Sequence, residues 1–209
     1  MMINSNGSHI KMDLILASAS PRREKMLKDA GFCPVVIPPL SEENIPMELK
    51  PEEAAMFLAL KKSLSVQDTE LYSRTLKSLT SRPLIVSADT IVVKNGEIIG
   101  KPADEKEALR ALMKLSGCHH LVITGVAVAG TVSGLPVCRL FYEKSKVFFK
   151  KYGHKDIEEY LSTKEPYDKA GGYSIQGHFR KYVDHYEGDH DNIVGLPLTS
   201  LKKVFKTFQ

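Results

Sequence analysis

In the stretch LILASASPRREKMLKDAGF, residues 14–32, two adjacent arginines stand where the local physics disfavours them. The stretch reads as a short strand, a tight turn and a helix. Ser20 is expected to cap that helix, Pro21 suits its first position, and Gly31 ends it. Arg22 and Arg23 then fall in the first turn, at the positive end of the helix dipole, where anions are favoured. Hydroxyls from Ser18 and Ser20, first-turn N–H groups and two fork-shaped guanidiniums together supply the chemistry of a phosphate site. The alternative is a surface pair neutralised by Glu24 or another nearby acid. The glycines and lysine of a P-loop are absent.

A second candidate is Asp89, inside the apolar run LIVSADTIVV. A carboxylate there is costly to bury alone. It requires a strand end or bulge with Thr90 or backbone donors, a cation, or a metal. Glu42 and Glu43, in a polar loop, read as a solvated pair unless one shares a divalent ion with Asp89. Magnesium uses one or two carboxylates together with substrate phosphates. Lys62, on a helix whose opposite side is apolar, and Lys101, projecting from a Gly-Lys-Pro turn, are candidate phosphate contacts. In EPYDKAGGYSIQG, residues 165–177, Gly171 and Gly172 permit close backbone approach and Gln176 offers both a donor and an acceptor. The alternative is an ordered surface loop with an Asp168–Lys169 network. His178, His185 and His190, with Asp184, Asp189 and Asp191, could suggest zinc or iron, but their spacings match no helical HExxH-type motif and they are expected to decorate an exposed loop.

The elements that must position these groups alternate between strand and helix. Strands are predicted at 14–17, within CPVVIPPL, over LIVSADTIVV, over HLVITGVAVAG and over VCRLFYEKSKVFF. Asn95-Gly96 suits a two-residue hairpin turn. Helices are predicted at 20–30, from Pro51 to about Val66, over ADEKEALRALMKL with Asp104 as cap and Leu109, Leu112 and Leu115 inward, over KDIEEYL, and over the amphipathic PLTSLKKVFKTF. Residues 67–83 read as a helical or loop insertion at the surface, and 164–195 as a long irregular segment. The class is α/β with a mixed sheet. Residues 1–12, which lack the apolar core of a signal peptide, are expected to be a flexible extension, and 13–209 a single domain of two lobes.

Composition narrows the partners. With 29 basic and 25 acidic residues and no tryptophan, the chain lacks the basic, aromatic-laced character of a nucleic-acid binder. No apolar run is long enough to span a membrane. Three dispersed cysteines make no disulfide framework, so a reducing, cytoplasmic location is expected.

In their order along the chain, SASPRR at 18–23, SADTIV at 87–92, GKP at 100–102, SGCHHLVITGVAV at 116–128, EPYDKAGGYSIQG at 165–177 and NIVGLPL at 192–198 resemble the Maf family of nucleoside triphosphate pyrophosphatases. The resemblance spans about 14 to 205. It implies an inosine-triphosphatase-like fold, an elongated mixed sheet flanked by helices with a cleft between two lobes. It also implies hydrolysis of a nucleoside triphosphate to monophosphate and pyrophosphate, with Mg²⁺ or Mn²⁺. By position, Asp89 matches the family's proton acceptor and Glu43 the carboxylate that joins it at the metal. Ser18, Arg23, Lys62 and Lys101 fall on phosphate-handling positions. Arg22, Thr90 and Gln176 match the specificity residues of the dTTP/UTP branch, and a homodimer is possible. Cys118 stands where the family usually has arginine, and YVDHYEGDHDN is more polar than the usual run. The resemblance also carries a second reading, a regulatory or interaction protein of cell division with little dependence on catalysis.

Overall fold

The computed structural model describes the backbone at residues 2–3 and 9–10, and residues 13–40, 44–45, 48–79, 82–163 and 165–208. Two short strands, β1 (Met2–Ile3) and β2 (His9–Ile10), pair antiparallel apart from the main sheet. The run LILA forms β3 (Leu14–Ala17), buried at every position. It lies parallel both to β4 (Val35–Val36) and to β5 (Leu84–Lys94), with Ile15 opposite Val35 and Leu14 opposite Leu84. A strand flanked on both edges and covered on both faces has no polar side, which is why it reads as continuous apolar sequence.

Between β3 and β4 runs α1 (Pro21–Asp29). Its C-terminus is a Schellman motif: Gly31, at φ 87°, donates to the Lys28 carbonyl, and Phe32 donates to the Leu27 carbonyl. Leu27 and Phe32 share one apolar cluster, so the cap also packs. At the other end the expected Ser20 side-chain cap is absent. Ser18 instead braces the turn before the helix, its Oγ accepting from the Ser20 N–H at 3.1 Å.

Helix α2 (Pro51–Gln67) starts with Glu53 reaching back to the Lys50 N–H, at 3.0 Å. The 67–83 insertion forms α3 (Glu70–Ser78), capped by Thr69, whose Oγ1 accepts from the Tyr72 N–H. β5 then turns through Asn95 and Gly96, both at positive φ, into β6 (Glu97–Ile99). Asp104 caps α4 (Glu105–Leu115) by accepting from the Glu107 N–H at 2.8 Å. Leu112 and Leu115 are fully buried with Ala108, and Leu109 is half-buried.

β7 (His119–Val132) and β8 (Leu135–Phe149) are joined by Ser133-Gly134, again with both φ positive. After α5 (His154–Leu161) the segment expected to be irregular holds three short 3₁₀ turns, a strand β9 (Val183–Glu187) and a short helix α6 (His190–Val194). β9 corrects the reading of this region as a loop: it pairs antiparallel with β8, Val147 opposite Tyr186, and the His185 ring stacks on Phe148 at 4.1 Å. The chain ends in α7 (Leu198–Lys206), with Leu201 and Phe205 fully buried. The main sheet has the strand order β4-β3-β5-β7-β8-β9, with β6 paired to β5.

The chain divides into two units. The first comprises residues 1–89, 125–142 and 195–209, and its apolar clusters join α1, α7 and the strands β3 and β5. The second comprises 90–124 and 143–194, and its core is aromatic: Phe149, Tyr152, Tyr160, Tyr173 and Phe179 pack with Leu112, Leu115 and Ile157. No helix among the described residues is long and apolar enough to cross a membrane.

Candidate active site

In the first unit the chain leaves β3 and turns at once. Ser18, buried, donates its N–H to the Leu16 carbonyl at 3.0 Å and accepts from Ser20. Arg23 folds back over this turn. Its Nε donates to the Gly195 carbonyl at 2.8 Å and its Nη1 to Ser18 Oγ at 3.3 Å. Glu24, the nearby acid weighed as their partner, bonds Lys28 at 2.6 Å. Two contacts of the half-buried Arg23 guanidinium are thus with neutral oxygens, beside a helix N-terminus, where an anion is favoured.

Asp89 lies in the same unit, in β5, and is buried against Lys62, whose Nζ donates to Asp89 Oδ1. The sequence put Lys62 across the helix from the apolar side. In the structure it sits on the buried face of α2 with Ala55, Leu58, Ala59 and Val66. Two contacts hold α2 close enough for this. Ser87, on the same face of β5 as Asp89, donates its hydroxyl to the Ala59 carbonyl at 2.6 Å. Gly125 of β7 lets α2 approach so near that a Cβ there would lie 2.3 Å from the Ala55 carbonyl carbon. Glu42 and Glu43 lie outside the described residues.

In the second unit Thr90 bonds Thr124, hydroxyl to hydroxyl at 2.9 Å. Lys101 is exposed and follows Gly100, whose carbonyl accepts the Gly171 N–H at 3.0 Å. Gly171 needs glycine twice over: its φ is 68°, and a Cβ would meet Val92 at 3.0 Å. Two residues on, the buried Tyr173 hydroxyl meets His120 Nε2 at 2.5 Å. Burial, with Lys94 and His119 adding, presses the His120 pKa down to about 3, so the ring is neutral at physiological pH. Burial likewise holds the Tyr173 phenol well above its usual range. These anchors fix the backbone leading to Gln176, which is exposed and whose N–H donates to Ser174 Oγ at 3.1 Å. The Asp168–Lys169 pair weighed as the bland alternative is present, and Lys169 also bonds the Glu165 carbonyl at 2.6 Å. Glu165 itself binds the His178 ring. Among the described residues no three His, Cys, Asp or Glu side chains gather as a metal-ligand set.

Residues 13–208 match the family of Maf-like proteins. The chain belongs to the Maf family. Similar Maf-family proteins include the dTTP/UTP pyrophosphatase of Desulfitobacterium hafniense (strain Y51), 43% identical over 194 residues, which span 91% of this chain and 82% of that protein. The dTTP/UTP pyrophosphatase of Pelotomaculum thermopropionicum is 37% identical, over 94% of this chain and 96% of its own. That of Bacillus cereus (strain ATCC 10987 / NRS 248) is 36% identical over 99% and 94%.

Within this Maf chain, several residues that hold the candidate side chains in each unit carried no signal of their own. Ser87 and Thr124 read as ordinary strand residues, and His120 as one of two adjacent histidines. Asn192 stands out only as part of NIVGLPL, and it lies inside α6 as one of that helix's two buried residues.

Proposed function

We propose that this Maf-family chain hydrolyses a nucleoside triphosphate, dTTP, UTP or a modified pyrimidine nucleotide, to the monophosphate and pyrophosphate. The observation that carries the reading is the buried Asp89, held by Lys62 in β5 one residue before Thr90. A buried carboxylate with a specific charge partner is a candidate for chemistry. The relatives named dTTP/UTP pyrophosphatases support the same assignment.

Asp89 orients a water and accepts its proton as the water oxygen attacks the α-phosphorus. The bond from the α-phosphorus to the bridging oxygen breaks, and pyrophosphate leaves. Ser18, Arg23, Lys62 and Lys101 bind and neutralise the phosphates, so the barrier is lowered by positioning and electrostatics with no covalent intermediate. Arg22, Thr90 and Gln176 select the base. Asp89 supplies carboxylate oxygens, hard donors of the kind a divalent cation takes, one of them paired with the Lys62 ammonium. Asp89 and Glu43 would hold Mg²⁺ or Mn²⁺, which when bound offsets charge on the phosphate oxygens.

The test is a panel of nucleoside triphosphates with Mg²⁺ or Mn²⁺, scored for monophosphate and pyrophosphate. Stoichiometric release of both from dTTP and UTP is expected. Release of orthophosphate and the nucleoside diphosphate instead would overturn the reaction assigned.

A further inference from the structure

Thr124, from SGCHHLVITGVAV, and Asn192, from NIVGLPL, form with Thr90 a chain of hydrogen bonds whose direction can be worked out. Asn192 is fully buried, and its amide can face only one way. Its Oδ1 accepts the Thr124 N–H at 3.1 Å, and its Nδ2 donates to the Val122 carbonyl at 3.0 Å. Nδ2 also donates to Ser145 Oγ at 2.9 Å, and Ser145 passes its own proton to the Asp189 carbonyl at 2.9 Å. Turning the amide over would set its NH₂ against an N–H and its oxygen against a carbonyl.

The hydroxyl of Thr124, also fully buried, donates to the Asn192 carbonyl at 2.9 Å. A carbonyl only accepts, so the single Thr124 proton is committed there. Thr124 Oγ1 must therefore accept from Thr90 across their 2.9 Å contact. The single proton of Thr90 is committed in turn. Any further group at Thr90 Oγ1 meets lone pairs and must be a donor.

We infer that Thr124 and Asn192 are positioning residues that lock Thr90 as a hydrogen-bond acceptor, and that Thr90 reads the ring N3–H of uracil or thymine. This rests on the pyrimidine triphosphatase reading of the same residues. N3–H is the one N–H donor on a uracil or thymine base joined to a sugar. Cytosine has a lone pair at N3, which would face the lone pairs of Thr90. Gln176 can turn its amide to suit either a carbonyl or an amino group, whereas a hydroxyl held by Thr124 cannot change sense. Discrimination between the two pyrimidines therefore falls to Thr90, and a site that pairs a substrate N–H rejects the analogue without it.

The experiment compares kcat/KM for UTP, CTP and N3-methyl-UTP in the wild type, Thr124→Val and Thr124→Ser. The wild type should favour UTP over both others by at least about tenfold. Thr124→Val keeps the shape but frees the Thr90 proton, so the UTP/CTP ratio should collapse to within about threefold of one. Thr124→Ser keeps the relay and should retain the wild-type ratio. A purely structural role would lower both nucleotides equally and leave the ratio alone. A wild-type ratio in Thr124→Val overturns the inference. So does wild-type hydrolysis of N3-methyl-UTP as fast as UTP, a result that needs no variant to fold. Hydrolysis of UTP with either of these outcomes leaves the reaction standing and removes only the relay. No pyrophosphate from any triphosphate overturns both.

Discussion

Lys62 and Asp89 form an ion pair inside the first unit, with their side chains only 9% and 8% exposed. Two charges taken this far out of water owe their tolerance to each other. Removing one partner leaves an uncompensated buried charge, which typically costs about 3–5 kcal/mol, whereas replacing both with apolar groups is often near neutral. Lys62→Met should therefore lower unfolding stability by about 3 kcal/mol in metal-free buffer, and Lys62→Met with Asp89→Leu should recover most of that loss. Denaturant melts of the three proteins check it. A double variant as unstable as the single one would contradict the pairing.

Gly125 and Ala55 set how close α2 comes to the sheet. With a Cβ 2.3 Å from the Ala55 carbonyl carbon and 2.4 Å from its oxygen, only backbone movement could admit a side chain. Gly125→Ala should cost about 3 kcal/mol or more. Gly100→Ala meets open space and should change stability by less than about 0.5 kcal/mol. Thermal unfolding of the two variants side by side gives the comparison; equal losses would count against the close approach.

His120 makes stability depend on pH. Burial holds the ring's pKa down to about 3, against 6.5 for a solvated histidine, so the unfolded chain takes up the proton first. Its contribution is complete above about pH 6.5 and is lost as the pH falls toward 3, with a slope approaching about 1.4 kcal/mol per pH unit. Replacing both partners, His120→Phe with Tyr173→Phe, should flatten the stability curve across that window. An unchanged slope would place the titration elsewhere.

Arg23 binds the Gly195 carbonyl through Nε and Ser18 through Nη1. Lysine cannot reproduce that fork. Arg23→Lys should raise the KM for the nucleotide about tenfold, equivalent to about 1.4 kcal/mol, with a smaller change in kcat. Steady-state kinetics on UTP measures the split, and an unchanged KM would remove Arg23 from phosphate binding.

Local chemistry was readable wherever one residue type had one physical use. Pro21 and Gly31 bounded α1, Asp104 capped α4, and Asn95-Gly96 made its hairpin turn. Readings failed where a long-range partner decided the outcome. The strand Val183–Glu187 is polar because four of its five residues are exposed, and only its pairing to β8 and the stacking of His185 on Phe148 reveal it. Ser20 looks like a cap, but Ser18, held by Arg23 five residues on, completes the turn instead. Lys61 and Lys62 are indistinguishable by type, and Asp89, 27 positions away, selects Lys62. The direction of the Thr90 hydroxyl was beyond sequence reasoning altogether, since it depends on Asn192, whose carbonyl takes the Thr124 proton from 68 positions away.

The central claim is that Asp89 serves the hydrolysis of a pyrimidine nucleoside triphosphate. Its most direct test is pyrophosphate release from UTP and dTTP by Asp89→Asn, alongside a melt showing that the variant is folded. The account predicts loss of at least about a hundredfold in kcat with the fold retained. Near wild-type pyrophosphate release from folded Asp89→Asn would contradict it.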